Sequence, residues 1–342
     1  MLGLVRVLAL AAGLMSAAAG KAQVLDFADL RGWQDDDHQA ALNAFLVTCD
    51  LVEGAEWRPL CALAPDAATS DTSARAFFEL FFRPVLIGTP PALFTGYYEP
   101  ELAGSAIRTP RFAHPIYRMP PEMQPGAVWF SREEIETRGL LRGRGLEIVW
   151  LDDPVEVYFL MVQGSGRIRM QDGSVIRVGY AGKNNQPYRS IGQELVRRGT
   201  HNMEDVSARE IRSWVRANPA AGADLLNQNP SFVFFRRIKD LSADKGPIGA
   251  MTRSLTTLRS VAVDPSFTPM GAPVWIEKDG ALQMNRLMIA QDTGGAITGK
   301  QRADIFFGTG FDAGEAAGQI KDTGRMVIML PIERAYALLP EG

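Results

Sequence analysis

Three aspartates stand at the edges of apolar runs in the C-terminal part of the chain, where a carboxyl group could do acid–base chemistry. Asp264 precedes a proline, Asp292 precedes Thr-Gly-Gly, and Asp304 lies within the run Ala-Asp-Ile-Phe-Phe. A carboxylate in such a place can project from a rigid sheet into a cleft, and nearby glycines let a ligand approach the backbone. Aspartate before proline or glycine also forms ordinary turns. Spacing alone favours the turn interpretation for all three, and Asp304 fits it least because no turn residue adjoins it.

The N-terminus has the order of a secretory signal. An arginine precedes an apolar run from Val7 to Met15, and small residues up to Ala19 follow. The run is too short to span a bilayer, and the alternative is a buried N-terminal helix. We therefore expect residues 1–19 to be a signal peptide, cleaved after Ala19 or Ala22, and the exported mature protein to be soluble. No cysteine lies near the cleavage site, so a lipid anchor is not expected there.

The remaining reactive side chains are few. The two cysteines, Cys49 and Cys61, match no zinc-binding spacing, and the three histidines lie far apart, so we expect neither a metal nor a cofactor. In an exported protein a disulfide between Cys49 and Cys61 is the favoured expectation. No Lys-Ser or Lys-Thr pair follows a glycine-rich turn, which argues against a nucleotide. The net charge of −3, without a long basic run, argues against a nucleic-acid partner.

The part of the chain that contains the aspartates is predicted to consist mostly of strands. From Leu93 onward, short alternating runs separated by Gly, Pro and Asp are typical of antiparallel β-structure. The clearest hairpin runs from Ile168 to Val178 around an Asp-Gly turn. Before it, Val155–Gln163 is a near-continuous apolar run that we interpret as a strand ending at Gly164.

Helices are predicted at the periphery of this β-structure. The patterns indicate helices at 36–52, 73–82, 190–198, 207–218, 220–227 and 313–321. Strands are predicted at 233–236, 260–263, 273–277, 286–291, 303–306 and 326–330. The sequence therefore predicts a mainly β protein with peripheral helices.

Four motifs in order resemble one enzyme family. The stretch Ile289–Gly308, with its Gln-Asp-Thr-Gly-Gly-Ala-Ile and Ala-Asp-Ile-Phe-Phe-Gly, is similar to the three-aspartate (3D) domain of the MltA-type membrane-bound lytic murein transglycosylase A family. Phe94–Pro100 (Phe-Thr-Gly-Tyr-Tyr-Glu-Pro), Val162–Gly166 (Val-Gln-Gly-Ser-Gly) and Asn229–Phe235 resemble the same family. Together the motifs extend over most of the mature chain, which makes the resemblance specific.

The resemblance implies a double-psi β-barrel with a smaller inserted β-domain and a groove between the two. The barrel would comprise residues 23–100 and 229–342, with the 3D domain at about 255–331, and the insert residues 101–228. The large insert agrees with the Asp-Gly hairpin placed independently.

The resemblance also implies a reaction, that of a peptidoglycan lytic exotransglycosylase. Such an enzyme cleaves the β-1,4 bond between N-acetylmuramic acid and N-acetylglucosamine, and the muramic 6-hydroxyl closes a 1,6-anhydro ring. A hydrolase needs two carboxyl groups, whereas an internal hydroxyl nucleophile lets one carboxyl act twice. Asp304 matches the family's catalytic aspartate and would act first as acid and then as base. Its pKa would have to lie well above the usual value, through burial against Phe306 or Phe307 or a nearby like charge from Asp292 or Asp264.

Further residues of the motifs are candidate substrate contacts. Thr95, Gly96 and Tyr97 offer a hydroxyl, a close backbone approach and a ring for a sugar face, although paired tyrosines in a strand often only pack. Gln163 and Ser165 flank a glycine, where polar groups could reach a pyranose or simply face solvent.

Alternatives of other classes stay open at the level of sequence. An expansin-like wall-binding module would share the barrel and an aspartate, and an ordinary glycoside hydrolase would leave reducing ends. An aspartic protease is disfavoured because Asp-Thr-Gly occurs once, at Asp292. If the protein is a lytic transglycosylase, we expect a periplasmic monomer that is at most loosely associated with the outer membrane. Its partners would be peptidoglycan glycan strands and other cell-wall enzymes.

Overall fold

The computed structural model describes residues 22–124, 126–280 and 282–338, and these form two β-sheets with ten α-helices around them. The predicted signal peptide, residues 1–19, lies outside the described residues. In that described part, no helix is long and apolar enough to cross a membrane. The strands are β1 Gln23–Val24, β2 Phe82–Leu86, β3 Ala92–Glu99, β4 Glu101–Ser105, β5 His114–Tyr117, β6 Glu147–Leu151, β7 Ser165–Met170, β8 Val175–Lys183, β9 Val233–Ile238, β10 Ser260–Val263, β11 Pro273–Lys278, β12 Met284–Asp292, β13 Arg302–Thr309 and β14 Lys321–Pro331. The helices are α1 His38–Leu46, α2 Trp57–Ala67, α3 Asp71–Phe81, α4 Arg132–Thr137, α5 Pro154–Gln163, α6 Ile191–Arg197, α7 Ala208–Ala217, α8 Pro219–Asn227, α9 Phe311–Gly318 and α10 Ile332–Ala337.

The first sheet closes on itself. Its strand order is β1-β2-β14-β11-β12-β10-β13-β3, and β14 also pairs with β3, so six strands form a barrel with β1 and β2 attached. Inward-facing side chains fill it, among them Phe94, Val261, Val274, Ile276 and Met288, all fully buried. This confirms the prediction of a mainly β fold with a barrel.

The second sheet has the order β5-β6-β4-β7-β8-β9 and its own apolar core. The Asp-Gly hairpin predicted between Ile168 and Val178 is confirmed by β7 and β8. Strand β9 pairs with β8 in this sheet, whereas the sequence interpretation placed its residues on the barrel side of a boundary at 228. The second sheet therefore includes residues up to Ile238.

The prediction of a strand at Val155–Gln163 is wrong, because this segment is helix α5. The side chain of Asp153 accepts the backbone N–H of Val155, and Pro154 occupies the first turn, where its missing N–H costs nothing. Gly164, at a φ of 78°, ends the helix in the left-handed conformation. Because α5 is buried on most sides, its residues show no polar stripe from which helical periodicity could be read.

The helices at the chain's start pack on the barrel. Helices α1 and α3 correspond to predicted helices, while α2 was not predicted. A disulfide joins Cys49 to Cys61, with the two Cα atoms 5.6 Å apart, and so ties α2 to the segment that follows α1. The helix predicted at 313–321 begins earlier, at Phe311, and ends at Gly318, since Lys321 already starts β14.

A buried charge cluster lies where the chain passes from one sheet to the other. Glu99, at the end of β3, is 1% exposed and pairs with Arg167 and Arg177 of the second sheet at 2.9 Å each. Its carboxylate also accepts the hydroxyl of Thr309 from β13. Glu99 thereby connects the barrel to the second sheet through largely buried contacts.

Candidate active site

Strand pairing brings two of the three aspartates onto one face of the barrel. Asp292 lies opposite Ala262, Ala262 opposite Asp304, and Asp304 opposite Thr95. Directly opposed residues project on the same side of a sheet. The two aspartates are thus two strand spacings apart, about 10 Å between Cα atoms, with only the small side chain of Ala262 between them.

Asp304 is held by a hydroxyl and lies near a guanidinium. Its Oδ1 lies 2.5 Å from Oγ1 of Thr95, and that hydroxyl oxygen in turn accepts Nη2 of Arg302 at 2.8 Å. Burial raises the pKa of Asp304, while the Thr95 hydrogen bond and the charge of Arg302 act in the opposite direction. A raised pKa keeps a carboxyl available as a proton donor closer to neutral pH.

Asp292 has a different set of donors. The Tyr97 hydroxyl donates to Oδ2 at 2.9 Å, and the backbone N–H groups of Ala250 and Thr293 donate to Oδ1 at 2.9 and 3.0 Å. Burial nevertheless raises the pKa of Asp292 to about 6, the three hydrogen bonds lowering it and the charge of Asp304 adding to the rise. Burial and the charge of Asp292 raise the pKa of Tyr97 well above its usual value, so Tyr97 stays a donor.

An apolar cluster surrounds these carboxyls. It consists of Tyr97, Leu255, Ala262, Ile297 and Phe306, all nearly or fully buried, and the rings of Tyr97 and Phe306 lie 5.3 Å apart. Phe306 is two residues from Asp304 and shares its face, whereas Phe307 packs with the barrel interior. Of the two phenylalanines considered from the sequence, Phe306 is therefore the one beside the acid.

A cavity of about 760 Å³ opens over this face, between the barrel and the second sheet. The barrel side supplies Asp292, Asp304, Leu255, the 247–250 segment and the 293–297 loop. The opposite side comes from the second sheet and its helices, including Arg132, Gln163, Ser165, Tyr180, Lys183, Tyr188 and Arg236. A ligand in this cavity can therefore contact both carboxyls and residues on both sides.

The candidate substrate contacts fall into two groups. Gln163 and Ser165 line the cavity, and Oε1 of Gln163 accepts the N–H of Tyr98 at 3.0 Å. Thr95 and Tyr97 instead bond the carboxyls of Asp304 and Asp292. Gly96 has a packing role, because a Cβ there would come within 2.8 Å of the Ala317 backbone.

Asp264 does not line the cavity. Its carboxylate accepts the N–H of Ser266 at 3.0 Å, within the turn after β10, and that of Gly299 at 2.7 Å, in the loop between β12 and β13. The Gly299 bond is the main reason that the pKa of Asp264 lies below its usual value. Asp264 thus has a structural role, in its own turn and toward the loop that holds Gly299, while Asp292 and Asp304 come together.

Some residues at the site were not found from the sequence. Arg302 stands two positions before Asp304, and the two-residue period of a strand could have indicated it. Lys183, Arg236 and the Ala250 N–H carry no local signal, because only the fold brings them to the cavity. In residues 22–124, 126–280 and 282–338, no three His, Cys, Asp or Glu side chains converge as metal ligands would.

Comparison with known proteins places this fold in one class. The family model of the MltA specific insert domain matches residues 93–236, and that of the 3D domain matches residues 259–330. The membrane-bound lytic murein transglycosylase A of Vibrio cholerae is 36% identical over 264 residues, which are 73% of this chain and 69% of that protein.

Two solved structures are also similar to this chain in three dimensions. A membrane-bound lytic murein transglycosylase from Agrobacterium tumefaciens has a TM-score of 0.83 and 32% identity, covering 93% of this chain and 99% of its own. The E. coli MltA crystallised with bound chitohexaose has a TM-score of 0.72 and 30% identity, covering 86% and 90%. The protein belongs to the MltA family of lytic murein transglycosylases.

Proposed function

We propose that this protein is a lytic transglycosylase that cleaves the β-1,4 bond between N-acetylmuramic acid and N-acetylglucosamine in peptidoglycan. The observation that carries the proposal is the carboxyl of Asp304, which is partly buried, lines the cavity of about 760 Å³ and has a raised pKa. Family membership supports the reaction class and the substrate.

The proposed chemistry needs one carboxyl in two states. Protonated Asp304 gives its proton to the glycosidic oxygen as the bond from the anomeric carbon to that oxygen breaks. The muramic 6-hydroxyl then forms its bond to the anomeric carbon, and its proton passes to the Asp304 carboxylate. No water is consumed, so the product ends in a 1,6-anhydro ring. The apolar cluster around Asp304 supports this scheme, because water excluded from the anomeric carbon leaves the internal hydroxyl as the nucleophile.

Asp292 would support Asp304 rather than replace it. Three hydrogen bonds fix its carboxyl, and when ionised it places a negative charge on the same face, where a positively charged oxocarbenium-like transition state develops. Asp264 has no such position, so its supporting role is confined to its own turn and the loop that holds Gly299.

The two sides of the cavity suggest how the glycan lies. Gln163 and Ser165 offer polar groups from the second sheet, facing Asp304 across the cavity. We propose residues 101–238 as the inserted domain that forms this side, which extends the boundary at 228 by strand β9. The rest of the described chain forms the barrel side.

We further propose that the protein works in the periplasm as an exported enzyme, with peptidoglycan as its partner. A disulfide between Cys49 and Cys61 supports an oxidising compartment.

The test is to incubate the purified protein with sacculi and to determine the masses of the soluble products by mass spectrometry. Anhydro fragments, lighter by one water than hydrolytic ones, are expected from the wild type. Asp304→Asn should lower their release by on the order of 100-fold or more, because acid and base are both lost. The control Asp224→Asn, an exposed carboxyl on α8, should match the wild type.

Other outcomes would contradict parts of the proposal. Reducing ends would indicate a hydrolase, and bound but uncut sacculi would indicate a wall-binding module. Full activity of Asp304→Asn would remove the named acid while leaving the reaction class in place.

A further inference from the structure

A guanidinium that the proposed reaction has not used lies beside the acid. Arg302 is partly buried and donates from Nη1 to the carbonyl oxygens of Ala303 at 2.6 Å and Leu93 at 3.3 Å. Its Nη2 donates to Oγ1 of Thr95 at 2.8 Å. Among the residues the structure describes, Arg302 pairs with no carboxylate directly, so its charge faces Asp304 through the Thr95 hydroxyl.

The hydrogen bonds fix the direction of the Thr95 hydroxyl. A guanidinium has only donors, so Thr95 Oγ1 must accept from Arg302. The hydroxyl hydrogen then needs an acceptor, and within the described residues the nearby one is Oδ1 of Asp304, 2.5 Å away. A proton on Oδ1 would leave two hydrogens aimed at each other or the hydroxyl hydrogen without a partner. Oδ1 is therefore the oxygen that stays unprotonated.

We propose that Arg302 is a positioning residue that, through Thr95, reserves Oδ1 of Asp304 as an acceptor and leaves Oδ2 as the oxygen that donates and later takes up the proton. This rests on the proposed function of Asp304. In the first step the Oδ2–H bond breaks, and the proton goes to the glycosidic oxygen as its bond to the anomeric carbon breaks. In the second, the 6-hydroxyl oxygen bonds the anomeric carbon and its proton returns to Oδ2.

The strands explain why the three residues act together. Asp304 lies opposite Thr95 and Arg302 opposite Leu93 in the parallel pair of β13 with β3. The pairing of β13 with β3 therefore positions Arg302 and Thr95 as well as Asp304, and none of the three depends on a loop. Arg302 also favours the carboxylate form, which suits Asp304 for its second role as base.

The test compares Arg302→Met and Thr95→Val, using anhydro-product release from sacculi across a pH series. Arg302→Met should lower kcat on the order of 10- to 100-fold with KM little changed, because the acid loses its orientation rather than the substrate its contacts. Since the positive charge holds down the pKa of Asp304, the decline of kcat at high pH should move to higher pH. Arg302→Lys and Thr95→Ser, which keep a charge or a hydroxyl, should recover much of the lost rate.

The double variant separates positioning from general damage. If Arg302 acts through Thr95, Thr95→Val with Arg302→Met should be no slower than the slower single variant. The control Arg138→Met removes an exposed arginine directly after α4 and should match the wild type in kcat and melting temperature.

Two results would overturn the inference alone: losses that multiply in the double variant, or an unshifted high-pH decline in Arg302→Met. A wild-type protein that releases no anhydro product would overturn the proposed function as well, so the two failures are distinguishable.

Discussion

The carboxyls of Asp292 and Asp304 share a face of the barrel but have different partners. Asp304 meets one hydroxyl backed by a guanidinium, whereas Asp292 is fixed by a phenol and two backbone N–H groups. Two carboxyls in unlike surroundings can take unlike roles, one exchanging a proton and one staying ionised at neutral pH. Burial raises the pKa of both.

Replacing Asp292 by Asn should stabilise the protein at neutral pH. The folded-state pKa of Asp292, about 6, lies above its ordinary value of 3.8, so its ionisation disfavours the fold from about pH 4 upward and does so fully above pH 6. At pH 7.5 the variant should be more stable by about 1–3 kcal/mol. The difference should shrink as pH falls through 6 and vanish near pH 4, where Asp292 is protonated in both states. Thermal unfolding at several pH values measures it, and a variant that is less stable at every pH would contradict the prediction.

At the scale of elements, helix α5 sets the position of the polar groups on the cavity's far side. Gln163 is its last residue, Gly164 reverses the chain, and Ser165 begins β7. The cap at one end of the helix and the left-handed glycine at the other therefore decide where two candidate sugar contacts lie.

Asp153→Ala should loosen this helix. The variant loses the side-chain cap on Val155 and an ion pair with Arg216, of which the cap contributes about 1 kcal/mol. We expect a matching loss in the free energy of unfolding by urea and a rise in KM with little change in kcat. Asp172→Ala, at the tip of the β7–β8 hairpin, is the control for a lost loop carboxylate and should leave KM unchanged. An unaltered KM in Asp153→Ala would show that the stability of α5 does not affect substrate binding.

At the scale of the whole molecule, the two sheets are held together by few but strong contacts near the crossing of the chain. Glu99 alone joins β3 of the barrel to Arg167 and Arg177 of the second sheet, with almost no solvent access. Removing one partner from a buried ion cluster costs more than the cluster contributes, because the remaining charges stay desolvated.

Glu99→Gln should therefore lower the free energy of unfolding by about 3 kcal/mol or more. The matched control is Glu101→Gln, two residues on, whose exposed pair with Arg169 should contribute about 1 kcal/mol at most. Urea denaturation of both variants measures the contrast. Equal small losses would mean that Glu99 does not join the two sheets energetically.

Several features could be predicted from the amino-acid sequence: the β-rich character, the hairpin at Asp172-Gly173, several helix boundaries and the resemblance to the MltA family. These features are local: a primed turn, a capping serine or a motif depends on residues within a few positions of one another. Asp304 fitted the turn interpretation least, because no turn residue adjoins it, but it was named as the acid through the family resemblance.

The tertiary structure alone decided which residues meet. Strand pairing across more than 200 positions brings Thr95 to Asp304, and the pairing of β10 with β12 places Asp292 on the same face. Asp264 instead binds backbone N–H groups of its own turn and of the loop that holds Gly299. The tertiary structure also buried Val155–Gln163 on most sides, which removed the periodicity from which its helix could have been predicted and left only the capping residues as a local signal. Pairing and burial are properties of contacts between distant segments, and no local pattern encodes them.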